Sequence, residues 1–365
     1  MLIYYSISLV MILSLFSTEK KYFKYLFYPV FLLFFIYFPF ITGVNSARPD
    51  YIGYVEIFHS IPALFSPGFF SELRETNIEL GYAIFTSIVK FFTNSATIFF
   101  ILLCFFSFVF RFRAIENFVR KEDIILVLFA FLAHEFMRKD AIQIRNGIAS
   151  AILLYSFVSL HKGNKMHFCI WVFVASMFHQ VALIAMPLVV INNIILNNKT
   201  IRIMQLVLVL ALIGTFLFSI HYIFSVLGNI GILPRRISIY IGSRFDIPMP
   251  IYHPVILRQI ILCSLILLVK KELLLASGNT AFFLFKIYFI STLYYLIFLD
   301  FELLAGRFGA LFNGVEVLFL LQIIYSDAVK QKKLMKLALF LLTCTTFIMN
   351  WITFSPVLSF EMTFQ

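Results

Sequence analysis

Apolar residues gather into long runs along this chain rather than into isolated stripes. Eleven runs stand out, at about residues 1–17, 25–42, 95–112, 122–136, 145–160, 167–196, 203–227, 255–270, 281–299, 308–326 and 337–354. Roughly 20 apolar residues in a helix cross a hydrocarbon core of about 30 Å, so the runs predict transmembrane helices. The expected fold class is therefore all-α, a polytopic integral membrane protein. Polar residues between the runs mark the connections. Met1 to Phe16 resembles the apolar core of a signal peptide, but no basic segment precedes it and no small-residue cleavage site follows, so it reads as a retained span.

Lysines and arginines orient the connections, because short basic loops stay in the cytoplasm. Lys20, Lys21 and Lys24 place the first loop inside, which puts residues 43–94 outside as a loop region. That region carries Asp50, Glu56, Glu72, Glu75 and Glu79 against Arg48, Arg74 and Lys90. Arg111, Arg113, Arg120 and Lys121 return the chain inside, residues 137–145 face out, and Lys162 and Lys165 lie inside again. From the other end, Lys330, Lys332, Lys333 and Lys336 are inside, as are Lys270 and Lys271. This places 228–254 and 300–307 outside and the Lys199–Arg202 loop inside.

The two walks collide. Residues 162–165 and 199–202 are both inside, yet one run of about 30 residues separates them. "FHQ" interrupts that run near its middle, and two short helices meeting at His179 restore the parity, for about 11–12 segments in all. A single tilted helix that carries Arg202 outward is the alternative.

Composition narrows the class further. Of 365 residues, 62% are hydrophobic and 48 are Phe, with a mean hydropathy of +0.97, which no soluble domain needs. The net charge of +11 is absorbed by the inner loops and does not point to nucleic acid. Cys104, Cys169, Cys263 and Cys344 each stand alone in apolar runs, without metal or redox spacing. There is no internal repeat and no soluble extension, so residues 1–365 read as one polytopic membrane domain. No nucleotide cradle and no metal-binding spacing is present, so no cofactor and no metal are indicated.

Charges that persist near a bilayer usually mark function. Four clusters share the outer side: Arg48–Asp50–Glu56, Glu79 in "NIELGY", Arg138–Lys139–Arg145, and Glu302–Arg307, with His179 near them in depth. Solvated loop charges, a helix-entry acid, a local ion pair and a packed histidine are the ordinary readings for Asp50, Glu79, Glu302 and His179. Arg138 and Arg145 resist such a reading, because the outer side disfavours basic residues. Seven residues apart, they share a face if the stretch is helical. Outer arginines suit a polyanion, since a guanidinium fork pairs with phosphate oxygens in bidentate fashion. The loop "PRRISIYIGSRFDIPMPIYHP" adds Arg235, Arg236, Tyr240, Arg244 and Asp246 to that side, where ordinary solvation suffices. Gly306, Gly309 and Gly314 read as close helix packing.

The order of "RPDYIGYVEIF", "NIELGY", "IRNGIASAI", "ASMFHQVALI" and "ELLAGRFGALF" resembles the EpsG-like, Wzy-type polysaccharide polymerases, over about residues 48–320. The resemblance implies a glycosyltransferase of the bacterial cytoplasmic membrane with its site facing the periplasm or exterior. It would join oligosaccharide repeat units carried on undecaprenyl diphosphate into O-antigen, capsule or exopolysaccharide. Arg145 and Arg307 then match basic positions for the diphosphate, with Arg138 and Arg48 as further candidates. Glu79, Asp50 and His179 match positions for the catalytic base. Membrane lipids and a chain-length regulator protein are the implied partners. An O-antigen ligase and a lipid-linked oligosaccharide flippase or transporter are the alternatives. Arginines gathered on one side argue against the flippase, and the lack of a repeat argues against a transporter.

Overall fold

A computed structural model describes residues 2–17, 20–46, 50–67, 69, 71, 78–230, 241–243 and 246–354. Among these the chain is helical throughout, with no strand, as the apolar runs require. Five helices are long and apolar enough to cross a membrane: Tyr25–Val44, Ala96–Phe118, Asn198–Leu217, Gly278–Ile297 and Lys332–Thr353. The pair Glu302–Ala310 and Asn313–Tyr325, bent by 42°, is long and apolar enough only when taken together, as a broken span or a re-entrant loop. The remaining runs form shorter helices, including Lys165–Ser176, Gln180–Ile191 and Pro254–Val269.

Small polar residues set the breaks. The side chains of Ser95, Asn164, Asn197 and Ser219 accept from backbone N–H groups three residues on, satisfying donors that a helix start leaves open. Ser219 thereby divides the 203–227 run into Asn198–Leu217 and Ile220–Asn229.

The chain divides into two compact units, residues 1–186 with 331–365, and residues 187–330. In the first, the core is built from phenylalanine rings. Phe34 packs on Phe108 at 4.3 Å and edge-on to Phe131 at 5.7 Å, and Phe38 meets Phe136 at 5.2 Å. A Cβ on Gly43 would lie 2.9 Å from the Thr97 carbonyl oxygen, so glycine allows helix Phe38–Val44 to cross Ala96–Phe118 closely. Two stretches that the basic loops assign to the same side are joined here, by Lys336 Nζ on Asp123 at 2.6 and 2.8 Å. Helix Lys332–Phe354 then follows the chain from Asp123 upward, with Asn350 Nδ2 donating to the Ala133 carbonyl at 2.6 Å.

The region 43–94, expected as an outer loop, is not simply a loop. It contains helices Tyr51–Ser60 and Leu80–Phe92. Lys90 ties them by donating to the carbonyls of His59 and Ile61, at the carbonyl-rich end of the first helix. The second helix is amphipathic, with Gly81, Tyr82, Ala83, Thr86 and Val89 buried, and the charged residues flanking it hid that pattern.

In the second unit, helix Gly278–Ile297 is the most buried. Its Lys286 ammonium donates to the carbonyls of Ile191, Asn192 and Ile194 at 3.3, 2.9 and 3.1 Å, closing the end of short helix Leu188–Ile191. The adjacent Gln205 side chain donates to the Leu267 carbonyl at 2.6 Å.

Candidate functional site

Arg145 is the second residue of helix Ile144–His161, where the positive end of the helix dipole disfavours a cation and no acidic residue of the first turn offsets it. Compensation comes from 66 residues away. Arg145 Nη1 meets Glu79 Oε2 at 2.8 Å, just before helix Leu80–Phe92. The guanidinium also lies over two tyrosine rings, Tyr54 at 5.8 Å and Tyr82 at 5.9 Å. Both tyrosines are buried, whereas Arg145 is half-buried.

Three separate motifs build this corner. In "ELGY", the amides of Gly81 and Tyr82 donate to the Met177 carbonyl at 2.8 and 3.2 Å. A Cβ on Gly81 would stand 2.7 Å from Met177 Cβ, so only glycine permits the approach. Met177 follows helix Lys165–Ser176, which stops there. His179 is extended (φ −155°, ψ 113°), and a 3-10 turn over Gln180–Ala185 follows. The interruption expected at "FHQ" is present, although the second half starts as a 3-10 turn rather than as an α-helix. His179 is half-buried, two residues beyond the Met177 carbonyl. Asp50 is exposed at the start of helix Tyr51–Ser60, and its carbonyl accepts from the Tyr54 amide at 3.0 Å.

A second ionic cluster lies in the same unit and is fully buried. Arg111 Nη1 pairs with Glu135 at 3.0 Å, and its Nη2 with Asp140 at 3.0 Å, with the Gly147 carbonyl at 3.0 Å and with Ser150 Oγ at 3.1 Å. Lys139 Nζ pairs with Glu135 at 2.7 Å, and Ser107 donates to Asp140. The guanidinium lies 4.4 Å from the Phe131 ring centroid. A π-helical turn over Leu132–Phe136 carries Glu135, and Gly147 leaves room for Lys139 and Asp140, because a Cβ there would meet both at 3.0 Å.

This cluster corrects two expectations. Arg111 is not an inner-loop charge but sits within helix Ala96–Phe118. Lys139 does not face outward beside Arg145, because Glu135 holds it inside. Nor do Arg138 and Arg145 lie on one helix. Helix Met137–Lys139 ends in a turn before Ile144, so the condition for a shared face is not met. Arg138 is half-buried, and Arg48 lies outside the described residues, as do Arg235, Arg236, Tyr240 and Arg244.

The second unit holds the other sequence candidates. Arg307 is half-buried in helix Glu302–Ala310, and Glu302 is exposed at its start. The Glu302 amide donates to the Ile247 carbonyl at 2.9 Å, docking the connection that carries Asp246. Asp246 pairs with His221 Nε2 at 2.9 Å, and His221 stacks on Phe301. Desolvation works to raise the Asp246 pKa, but the Gly242 amide and His221 overcome it and hold the carboxyl below its ordinary range. Arg258 meets Glu316 at 3.2 Å, and the Tyr288 hydroxyl donates to the same carboxylate at 3.1 Å. Beside them Gln259 bridges Ser291 and Asn313. Gly309 admits the Tyr295 ring, which a Cβ would strike at 2.4 Å, so close packing is this glycine's role. Among the described residues, no three His, Cys, Asp or Glu gather as a metal site.

A family model described as the EpsG family matches residues 27–364. The chain belongs to the EpsG family. The motif-based resemblance is therefore met, and the match covers every residue named above as a candidate. The amylovoran biosynthesis protein AmsC of Erwinia amylovora is 25% identical over 197 residues, 53% of this chain and 52% of that protein. The chain thus spans about half the length of that relative. No solved structure matches.

For this EpsG-family chain, the structure joins Glu79 to Arg145 directly; Asp50 stands four residues before Tyr54, and His179 two residues beyond Met177. Sequence reasoning missed Tyr54 and Tyr82 as walls, the Arg111 cluster, and the Arg258–Glu316 pair. The last was open to detection, because "VILRQIIL" and "GVEVLFLL" each put a lone charge, of opposite sign, inside an apolar run.

Proposed function

We propose that this protein is a membrane glycosyltransferase that polymerises a surface polysaccharide. It joins oligosaccharide repeat units carried on undecaprenyl diphosphate at the outer face of the bacterial cytoplasmic membrane. The observation that carries this reading is Arg145, held at a helix start by Glu79 and walled by Tyr54 and Tyr82. Family membership and the relative named for amylovoran biosynthesis support the polysaccharide chemistry.

In the reaction, a hydroxyl oxygen of the acceptor sugar bonds to the donor's anomeric carbon as that carbon's bond to the diphosphate breaks. Negative charge builds on the departing diphosphate, and a preorganised cation in a water-poor site stabilises it most. Arg145 supplies that cation, and its fork suits two phosphate oxygens. Glu79 orients the fork. With Glu79 so engaged, Asp50 and His179 are the candidates to take the acceptor proton. Arg307 is a separate candidate for a phosphate contact, and a chain-length regulator is an expected partner.

The test is the surface polysaccharide of a deletion strain carrying plasmid-borne variants at matched membrane abundance. Loss of the gene should leave single repeat units on the acceptor lipid. Absence of any repeat unit would instead indicate a ligase, and normal polymer would exclude a role in polymerisation. Asp50→Asn and His179→Leu separate the two base candidates, and full-length polymer from both would remove the base role from each. Sidedness is tested by cysteine labelling. A cysteine at Asn198 should react only from the cytoplasm and one at Ser71 from outside, and external labelling of Asn198 would overturn the two-helix topology.

A further inference from the structure

In the second unit, Asn198, Ile201, Arg202, Gln205, Lys271 and Glu272 enclose a cavity of about 210 Å³. All but Ile201 are polar, and two cations face one acid. Arg202 and Lys271 are exposed and come from different helices, Asn198–Leu217 and Lys271–Ala276. The charge pattern along the sequence assigns both positions to the cytoplasmic side. The space holds several water molecules and so admits a phosphate group.

What adjoins the cavity matters as much as its charge. Above Arg202, helix Asn198–Leu217 exposes Leu206, Leu210 and Ile213, one stripe at spacings of three and four residues. The neighbouring segment exposes Ile261, Leu265 and Leu268. The Gln205–Leu267 hydrogen bond joins the two where the stripes begin. From Leu206 to Leu217 the helix rises about 16 Å, close to half of a hydrocarbon core of about 30 Å. A cationic recess opening onto an apolar strip half a bilayer long is complementary to one molecule, a phospholipid with an anionic headgroup.

We propose that this recess binds the headgroup of an anionic phospholipid of the inner leaflet, with its acyl chains along Leu206–Ile213 and Ile261–Leu268. Basic recesses between transmembrane helices recognise such headgroups, at about fivefold in affinity per cation. Arg202 and Lys271 hold the phosphate, Asn198 donates to it, and Glu272 excludes a second negative charge. The site is independent of the proposed reaction.

The full chain, purified in detergent with equal amounts of phosphatidylglycerol and phosphatidylcholine, is examined for bound lipid by native mass spectrometry. Phosphatidylglycerol should be retained preferentially. Arg202→Gln and Lys271→Gln should each lower the preference about fivefold, and together bring it near parity. Glu272→Gln should raise it. Lys270→Gln, which alters a neighbouring charge outside the recess, should leave it unchanged. An unaltered preference in the double variant overturns the proposal. So does an equal loss from Lys270→Gln, which would indicate general surface charge. Displacement of the lipid by millimolar inorganic phosphate would instead make this a site for the free ion.

Discussion

Arg111 and Arg145 are both paired with carboxylates in the first unit, and the difference between them separates structure from chemistry. Arg111 is 1% exposed, its carboxylate partners Glu135 and Asp140 are 4% and 1% exposed, and a carbonyl, a hydroxyl and an aromatic ring complete its surroundings. With Lys139 the cluster has two positive and two negative charges, so it balances without any ligand. Arg145 is 32% exposed, and Glu79 is 11% exposed. One side of its fork is fixed by Glu79, while the side chain stays within reach of an incoming anion. A buried arginine whose charge is balanced by buried carboxylates holds helices together. A half-open arginine fixed from behind is available to bind.

Replacing Arg111 should have the largest effect on stability. Arg111→Met leaves two buried carboxylates with Lys139 as the one cation among them, which costs about 3–5 kcal/mol and should lower the unfolding temperature and membrane abundance together. Adding Asp140→Asn restores the charge balance and should recover part of the loss, since contacting residues couple. Wild-type stability in Arg111→Met would erase the contrast.

Arg145→Ala should behave in the opposite way. Stability should change by no more than about 1 kcal/mol, as for a partly exposed ion pair. Polymer synthesis should fall by about 100- to 1,000-fold, as when a group that stabilises developing charge is lost. Arg145→Lys should lose most activity despite keeping the charge, because a point charge lacks the fork. Wild-type ladders from the lysine variant would exclude bidentate binding, and wild-type ladders from both would remove Arg145 from the site.

Gly81→Ala tests how the open corner is assembled. The added methyl group meets Met177, and overpacking of this kind costs about 1–3 kcal/mol. Polymer length should shorten more than abundance falls, because the shift moves Glu79 away from Arg145. Equal loss of both would make Gly81 a packing residue alone.

The smallest effect is expected at Asp246, whose folded carboxyl titrates below its unfolded value. Its contribution is present above the unfolded pKa of about 3.9 and is lost as pH falls through the lower folded value. Asp246→Asn should therefore be less sensitive to acid below about pH 4 than the wild type, when unfolding is followed against pH. Parallel acid curves would remove this pair from the stability of the second unit.

Much of the architecture was legible because apolar run length is a local property. The eleven runs fall on the observed helices, and the "FHQ" break appears where the charge parity required one. The region 43–94 was less legible, because its amphipathic helix Leu80–Phe92 is short and flanked by charges. Arg145 and Glu79 were both visible as unusual charges, but nothing local indicated that they touch.

By itself, the sequence determined that this chain is an all-helical membrane protein, where its long apolar runs lie, and which charges are costly enough to need a use. Hydrophobic transfer and helix capping depend on neighbouring residues, so a linear reading captures them. Only the tertiary structure decided how each charge is used. It enclosed Lys139 and Arg111 among carboxylates, and it left Arg145 half-open against Glu79, 66 residues away. Electrostatic interaction depends on distance and burial through space, and neither is written in the order of the residues.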